Sequence, residues 1–566
     1  MSAMSTSENG QNGLAKFFPI LGWVRDYSGG WFRLDLVAGL TAAAVVIPQA
    51  MAYASIAGLP VEVGLYTALV PMVIYAILGT SRPLSVSATS TIAMLTATTL
   101  AGVVQSNDPY DYVVPAATLA FMVGIFLLLA GLLRMGVIAN FISDPVLTGF
   151  KAGIGVVILV SQFGKVLGLS LEKGPVLHTI VSIFENLDQI NWPTVLISVI
   201  TLAILVLLPR WSKRVPAALV AVALGILASI VLNTQALGIK LVDPIPTGLP
   251  PLSLPQPSLF GDLWVGALGI TLMSFVESIA AARAFTQRGD RPTAANQELI
   301  ALGVANMGGG LTSAMPGGGG TSQTAVNDQA GARSQMAEIA TAGVVLVTLL
   351  FLAPLISLMP EATLGALVLV AAAGLIKLNE FRNIAQVRRT EFTWAIAAFL
   401  GVIILGTLQG ILVAVIISIL ALLYLASNPP VYELGRKVGT NAFRALKDHT
   451  ADETFPGLLI LRTEGVMFFA SAPHAIDRIA LMVREHQPKI VVLDCSPVPN
   501  FEYTAIKEFI DLDDKLHASD VTLWLAALNP EAFETVEKTV LGKALGHERM
   551  FITMEQAVEF YRKNYL

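Results

Sequence analysis

Two stretches of this chain combine hydroxyl side chains with residues that break helices. One is Met315–Val326, MPGGGGTSQTAV, and the other is Ser81–Leu95, SRPLSVSATSTIAML. Both sit between strongly apolar segments, where a glycine inside a helix costs roughly 1 kcal/mol and a proline about 3. Such a stretch is either a surface loop or backbone broken at a working site. The chemistry it offers is anion binding. A helix that begins there leaves unpaired N–H groups and a partial charge of about +0.5 at its start. Two such starts facing each other hold an anion without burying a full charge in lipid. Ser87, Thr89, Ser90, Thr321, Ser322 and Thr324 offer hydroxyl donors to oxyanion oxygens. The glycines up to Gly320 let the backbone approach a ligand closely. MPGGGGTSQTAV carries no charge and has a twin at 81–91, which argues against a plain loop.

A second chemical signal is Glu277, a carboxylate inside a long apolar run. At membrane depth such a group is costly and by default marks function, the alternative being a structural carboxyl satisfied by hydroxyls or a core arginine. Beside an anion, burial and like charge both favour its protonated form. Taking up a proton then removes repulsion and admits the anion, which is the logic of symport. Gln49 and Tyr53 fall one helical turn apart and either line the same site or make bundle contacts. Arg82, Lys151 and Arg283 are expected at the membrane interface as topological charges. Gly308–Gly310 reads as a flexible connector and not as a nucleotide loop, since no Lys-Ser/Thr follows it.

These residues need elements to position them, and composition says which kind. The chain has 566 residues, 54% hydrophobic and 13% charged, against about 25% charged in soluble domains. A polytopic α-helical membrane protein follows. A net charge of -5 gives no footprint for nucleic acid. The single cysteine, Cys495, excludes an intrachain disulfide framework and a cysteine-based zinc cluster. The opening MSAMSTSENGQNG lacks the apolar region of a cleavable signal peptide.

Apolar windows predict spans at 35–56, 63–79, 87–104, 113–134, 145–167, 193–209 and 216–236. After a proline-rich linker (242–262), further spans fall at 262–282, 295–312, 322–333, 337–358, 362–376, 392–407 and 409–427. The amphipathic stretch 174–190 reads as interfacial. With the N-terminus inside, the cytoplasmic loops hold Arg82, Arg134, Arg210, Lys213, Arg214, Arg283, Arg288, Arg291, Arg333, Lys377, Arg382, Arg388 and Arg389. The opposite loops keep only Lys165, Lys173 and Lys240, as the positive-inside rule requires. The two sets also match by position. Gln49 and Glu277 lie at similar depth in the first span of each, and each third span starts with an interruption. Matching interrupted segments in two halves point to an inverted-repeat transporter.

Beyond Asn428-Pro-Pro the pattern becomes that of a soluble α/β domain. GLLILRTEGVMFFA, KIVVLDCSPV and DVTLWLAAL read as strands. APHAIDRIALMVREHQ, YTAIKEFIDLDDKLHA and NPEAFETVEKTVLGKAL read as amphipathic helices. A lone reduced cysteine fits a cytoplasmic location.

LVAGLTAAAVVIPQAMAYASIAGLP, GLYTALVP, GTSRPLSVSATS, SFVESIAAARAF, ANQELIALGVANMGGG and TAVNDQAGARS together resemble the SulP family of anion permeases, and the soluble domain resembles that family's STAS domain. The resemblance implies fourteen spans as a 7+7 inverted repeat with core and gate bundles, an elevator-like motion and homodimers. The substrate site is expected at Gln49, Tyr53, Ser87, Thr89, Gly320, Thr321, Ser322 and Gln323, with Glu277 as the coupling-ion residue, on a helix that in related proteins supplies either a proton-coupling or a sodium-site carboxylate. Two departures stand out. Many relatives carry an arginine where this chain has Gln323, and Ser-Val-Gly-Pro where it has Ser85-Val86-Ser87-Ala88, so the fixed charge is reduced. In the soluble domain, Thr504 matches the phosphorylatable hydroxyl of the STAS motif in altered surroundings; it is a regulatory site or an ordinary helix start.

The expected organisation is a cytoplasmic N-terminal segment (1–30), a membrane transport domain (31–430) and a cytoplasmic STAS domain (440–566), with both termini cytoplasmic in the inner membrane. The expected function is secondary active transport of a small inorganic oxyanion, sulfate first and proton-coupled, since a glutamate alone does not make a sodium cage. Alternatives are a bicarbonate carrier with or without sodium, a dicarboxylate carrier, an anion channel, or an inert membrane anchor for the STAS domain. No triad, metal cluster or phosphate loop points to an enzyme, and no cofactor is expected.

Overall fold

The computed structural model describes residues 19–25, 27–106, 108–140, 143–169, 176–211, 215–232, 237–286, 293–449 and 451–566. Lys173, Lys213, Arg214, Arg288 and Arg291, counted above among the loop charges, lie outside the described residues. The chain divides into two compact units, Met1–Ser418 and Ile419–Leu566.

In lipid every backbone polar group needs an internal partner, so long apolar runs become helices. The first half contains α1 (Gly29–Ile56), α2 (Val61–Thr67), α3 (Val70–Leu78), strand β1 (Val86–Ser87), α4 (Ser90–Ala101), α5 (Val113–Leu132), α6 (Asp144–Leu167), α7 (Val176–Glu185), α8 (Trp192–Trp211) and α9 (Ala217–Leu232). The second repeats the order with α10 (Phe260–Ala284), α11 (Ala295–Leu311), β2 (Gly318–Gly319), α12 (Thr321–Gln329), α13 (Met336–Val347), α14 (Glu361–Ala373), α15 (Leu378–Val387), α16 (Arg389–Leu405) and α17 (Thr407–Ser427). In each half a two-residue strand precedes a short helix, and the two strands pair antiparallel, Val86 opposite Gly319 and Ser87 opposite Gly318.

Among the described residues nine helical stretches are long and apolar enough to cross a membrane, counting Val61–Leu78 (α2 with α3), Met336–Ile356 and Glu361–Val387 (α14 with α15) as one stretch each, and shorter apolar helices include α4, α7 and α9. The segment read as one span at 63–79 is two helices, because Pro71 at the start of α3 withholds its N–H. The segment read as 337–358 runs from α13 through a wide turn at Thr348–Leu352 to Ile356. Helix α15 has no counterpart in the expected spans; it is amphipathic and buries no residue.

Two helix groups emerge from the packing. Helix α10 packs on α4 and α5, α11 on α3 and α5, and α12 and α13 on α1. Helix α6 packs instead on α14 and α16, and α8 on α14. Small residues set these distances, as expected where lipid supplies no hydrophobic drive. A Cβ on Gly303 of α11 would stand 2.7 Å from the Leu128 nitrogen of α5, and one on Gly149 of α6 would stand 1.9 Å from the Ala395 carbonyl oxygen of α16.

The second unit carries a six-stranded sheet of β3 (Val431–Arg436), β4 (Phe443–Ala445), β5 (Leu458–Thr463), β6 (Ile490–Asp494), β7 (Thr522–Ala526) and β8 (Met550–Phe551), in the order β4-β3-β5-β6-β7-β8. Strands β5 to β8 are parallel and β3 is antiparallel to both neighbours. Helices at Ala472–His486 and Tyr503–His517 cover one face through Ile479 and Phe509. A final helix, Met554–Tyr565, seats Tyr561 with Trp524 on the other. The strand read from GLLILRTEGVMFFA ends at Thr463, just before Gly465 takes a left-handed φ of +90°.

Candidate functional site

The two interrupted segments converge. Thr89 caps α4 in extended backbone, its hydroxyl accepting from the Ile92 N–H at 3.4 Å. Gly320 occupies the equivalent place before α12, and its N–H donates to the Ser85 carbonyl at 3.0 Å. The starts of both helices border one cavity of about 820 Å³.

Backbone that is neither helix nor long sheet at membrane depth needs side-chain partners, and the neighbouring helices supply them. Around β2, Thr67 accepts from the Met315 N–H (3.1 Å), Asn306 accepts from the Gly317 N–H (2.9 Å), and Ser278 accepts from the Gly319 N–H (2.7 Å). Ser274 donates to the Gly317 carbonyl at 2.8 Å. Around β1, the Gln335 amide donates to the carbonyls of Ser81, Arg82 and Leu84, while Thr324 accepts from the Ser85 N–H at 3.1 Å. Asn327 donates to the Pro83 carbonyl and to Glu338, which also accepts from the Ser85 hydroxyl. Glycine at 319 is required by space: a Cβ there would stand 2.9 Å from the Ser278 Cα on α10.

Gln49, Tyr53, Thr89, Gly320, Thr321, Ser322, Gln323 and Glu277 all line the cavity, as does Ser90. Thr321 and Ser322 are open to it, whereas Gln323 is only 1% exposed. The side-chain oxygen of Gln49 is buried without a partner among the described residues. Two hydroxyls expected in the site serve another purpose. Ser87 is fully buried and donates to the Gln323 amide oxygen at 2.6 Å. Thr324 is likewise buried, donating to the Gly320 carbonyl at 2.7 Å. The Gln323 amide nitrogen donates to the Ala88 carbonyl at 3.4 Å, so this side chain ties the second half to the first.

Glu277 accepts from the Thr89 hydroxyl at 3.2 Å. Its other oxygen lies 3.4 Å from the ammonium of Lys151 on α6. The interfacial place expected for Lys151 is therefore corrected: the side chain points into the cavity and pairs with Glu277. Its sequence position, about two turns into an apolar helix, resembles that of a snorkelling lysine, and only packing reveals its direction. Arg82 lies outside the cavity lining, over the Trp31 ring, and Arg283 also lies outside it. Toward the rim stand Asp144, Lys377 and Glu380, the last two paired at 2.9 Å. Among the described residues no group of three His, Cys, Asp or Glu side chains could hold a metal ion.

In the second unit, Thr504 is exposed in the first turn of the helix Tyr503–His517. In the same unit, Arg462 grips Asp494 through Nε (2.8 Å) and Nη2 (2.5 Å). Burial, then the adjacent Asp494 charge, push the Cys495 thiol well above its ordinary range.

Residues 32–398 match the sulfate permease family and residues 449–557 match the STAS domain. A probable sulfate transporter of Mycobacterium tuberculosis is 36% identical over 544 residues, covering 95% of this chain and 97% of that protein. The chloroplastic sulfate transporter 4.1 of Arabidopsis thaliana is 31% identical over 570 residues, covering 96% and 82% respectively. The murine solute carrier 26 family member A9 anion transporter, solved in the inward-facing state, superposes with a TM-score of 0.87 at 22% identity, over 100% of this chain and 97% of that one. The transmembrane domain of the cyanobacterial bicarbonate transporter BicA superposes with a TM-score of 0.60 at 26% identity, over 69% of this chain and 98% of that one. With these matches spanning both units, the chain belongs to the sulfate permease family, a multi-pass membrane anion transporter carrying a C-terminal STAS domain.

Proposed function

We propose that this chain is a secondary active transporter of a small oxyanion, with sulfate as its substrate and a proton as its coupling ion, in the bacterial inner membrane. One observation carries the reading: the starts of α4 and α12 and the carboxyl of Glu277 border the same cavity. Thr89, Thr321, Ser322 and the first-turn N–H groups hold the anion, with Gln49 and Tyr53 completing the wall and Gly320 letting the backbone close in. A proton on Glu277 removes the carboxylate that would repel the anion, so the two enter together. The names of the relatives in Mycobacterium tuberculosis and Arabidopsis thaliana support sulfate.

Fourteen crossings in two inverted sets of seven move as an elevator. The helices carrying the site slide against the group around α6, α14 and α16, in a homodimer with both termini cytoplasmic. Residues 1–30 precede the transport domain (31–430), and residues 440–566 form the STAS domain, where Thr504 is open to phosphorylation. A second reading, a bicarbonate carrier, is favoured by one feature: the side chain at 323 is a neutral glutamine, which lowers the fixed charge facing a dianion. Radiotracer uptake into proteoliposomes separates the readings. Sulfate accumulation driven by an inward proton gradient is expected. Bicarbonate accumulation driven by sodium, with no sulfate uptake, refutes the first and supports the second; flux that neither saturates nor accumulates indicates a channel.

A further inference from the structure

We infer that Lys151 is the fixed positive charge of the site, held by Glu277 while the site is empty and released to a divalent oxyanion when Glu277 takes a proton. The inference rests on the oxyanion reading above and deepens it by assigning the residue that selects for ligand charge.

The packing aims Lys151 at the cavity. On α6, Gly149 and Gly153 lie against α16, where a Cβ on either would collide with the Ala395 carbonyl or the Val402 side chain. Residue 151 is two positions from each, about 200° around the helix, and so faces away from α16. The ammonium lies 3.4 Å from Glu277 on α10, a helix of the other packing group. Lys151 keeps 25% of its side chain exposed to the cavity, against 8% for Glu277. It can therefore turn to a ligand without leaving its helix.

Charge then decides the ligand. The two helix starts contribute about +0.5 each and Lys151 one full charge, so the site sums to about +2 when Glu277 is neutral and about +1 when it is ionised. The protonated site suits a dianion and the ionised site a monoanion. The other titratable groups around Glu277 leave this balance in place. Tyr53 on α1 is neutral in the physiological range, and Thr89 on α4 does not titrate. At the rim Lys377 and Glu380 offset each other, while Asp144 sits at the start of its own helix.

The test uses the full-length protein in nanodiscs, with sulfate and nitrate affinities measured at pH 5.5 and pH 8. For the wild type, sulfate is expected to bind more tightly than nitrate. Coulomb energy scales with ligand charge, so losing the ammonium in Lys151→Met should weaken nitrate by about tenfold and sulfate by about a hundredfold. Lys151→Arg should retain the sulfate preference. Glu277→Gln, which removes the carboxylate charge, should raise sulfate affinity more than nitrate affinity. Lys151→Gln is the second neutral variant should Lys151→Met fail to fold. Equal losses for both anions, or no loss in either neutral variant, overturn the assignment of Lys151. Absence of binding to the wild type overturns the oxyanion reading itself.

Discussion

Replacing Gln323 by arginine restores a charge beside the two helix starts, and the structure says what this changes. The Gln323 side chain folds back over Gly320, close enough that a Cβ there would stand 2.8 Å from its oxygen. It is held by the Ser87 hydroxyl and the Ala88 carbonyl. A longer guanidinium cannot keep both bonds and must extend toward the cavity that Gln323 already borders. The lost neutral hydrogen bond costs about 1 kcal/mol, and the added buried charge costs more in the empty protein. The apo variant should therefore melt at a lower temperature. Once an anion is bound about 5 Å away, the new charge is worth about 3 kcal/mol to a monoanion and about 6 to a dianion at an effective dielectric of about 20. Solvent reorganisation reduces both figures and leaves their order. Sulfate affinity should rise at least tenfold and more than nitrate affinity. The sulfate-induced rise in melting temperature should also exceed that of the wild type. Transport should slow, because a tightly held anion leaves slowly. Calorimetric titration and melting curves in nanodiscs read both effects. Equal gains for nitrate and sulfate, or no gain in a folded variant, would refute the electrostatic account of the helix starts.

Glu277→Gln keeps a side chain that Thr89 can bond but cannot release a proton, so uptake should lose its response to a proton gradient while anion binding persists; full proton-driven accumulation in the variant would show that the carboxyl is structural. Ser322→Ala removes an open hydroxyl from the cavity wall and should weaken anion binding by about 0.5–1.5 kcal/mol, or up to about 3 if the bond is made to a charged oxygen; unchanged affinity would place the anion elsewhere. Cys495 is fully buried, and its thiol is held protonated first by burial and then by the charge of Asp494. Because the folded value is raised, this stabilising contribution is intact at neutral pH and declines as pH rises past the ordinary thiol value of about 8.5. Folded protein at pH 8 should accordingly resist iodoacetamide until denaturant is added, and rapid alkylation of the native chain would contradict the burial.

Much of this was legible in the sequence, and the exceptions share a cause. Apolar runs bounded by glycine, proline or charge located the helices to within a few residues, as at α5 (Val113–Leu132) and α6 (Asp144–Leu167). The twin interruptions pointed to the meeting of β1 and β2, because local residue type alone says where a helix cannot continue. Direction was not legible. Ser87 and Thr89 are two residues apart with similar hydroxyls, yet one braces Gln323 and the other reaches Glu277. Lys151 is a lysine near a helix start by sequence and a cavity charge by packing. Strands β3, β4 and β8 also escaped, since β4 and β8 are only three and two residues long and β3, VYELGR, lacks sustained alternation. Such features depend on partners far away in the chain, which periodicity does not encode.

The small ladder of β1 and β2 also sets a constraint on how the protein is made. Ser87 and Gln323 are 236 residues apart in sequence, so at 5–20 residues per second the first half waits about 10–50 s for its partner to emerge from the ribosome. Throughout that interval the backbone from Ser81 to Ala88 lacks Gln335, Thr324 and its partner strand, and lipid offers no substitute. The nascent first half must therefore stay in a wet or protein-lined environment until the second arrives. The earliest steps of membrane insertion, rather than the stability of the finished molecule, become the stage at which changes in either interrupted segment first do harm.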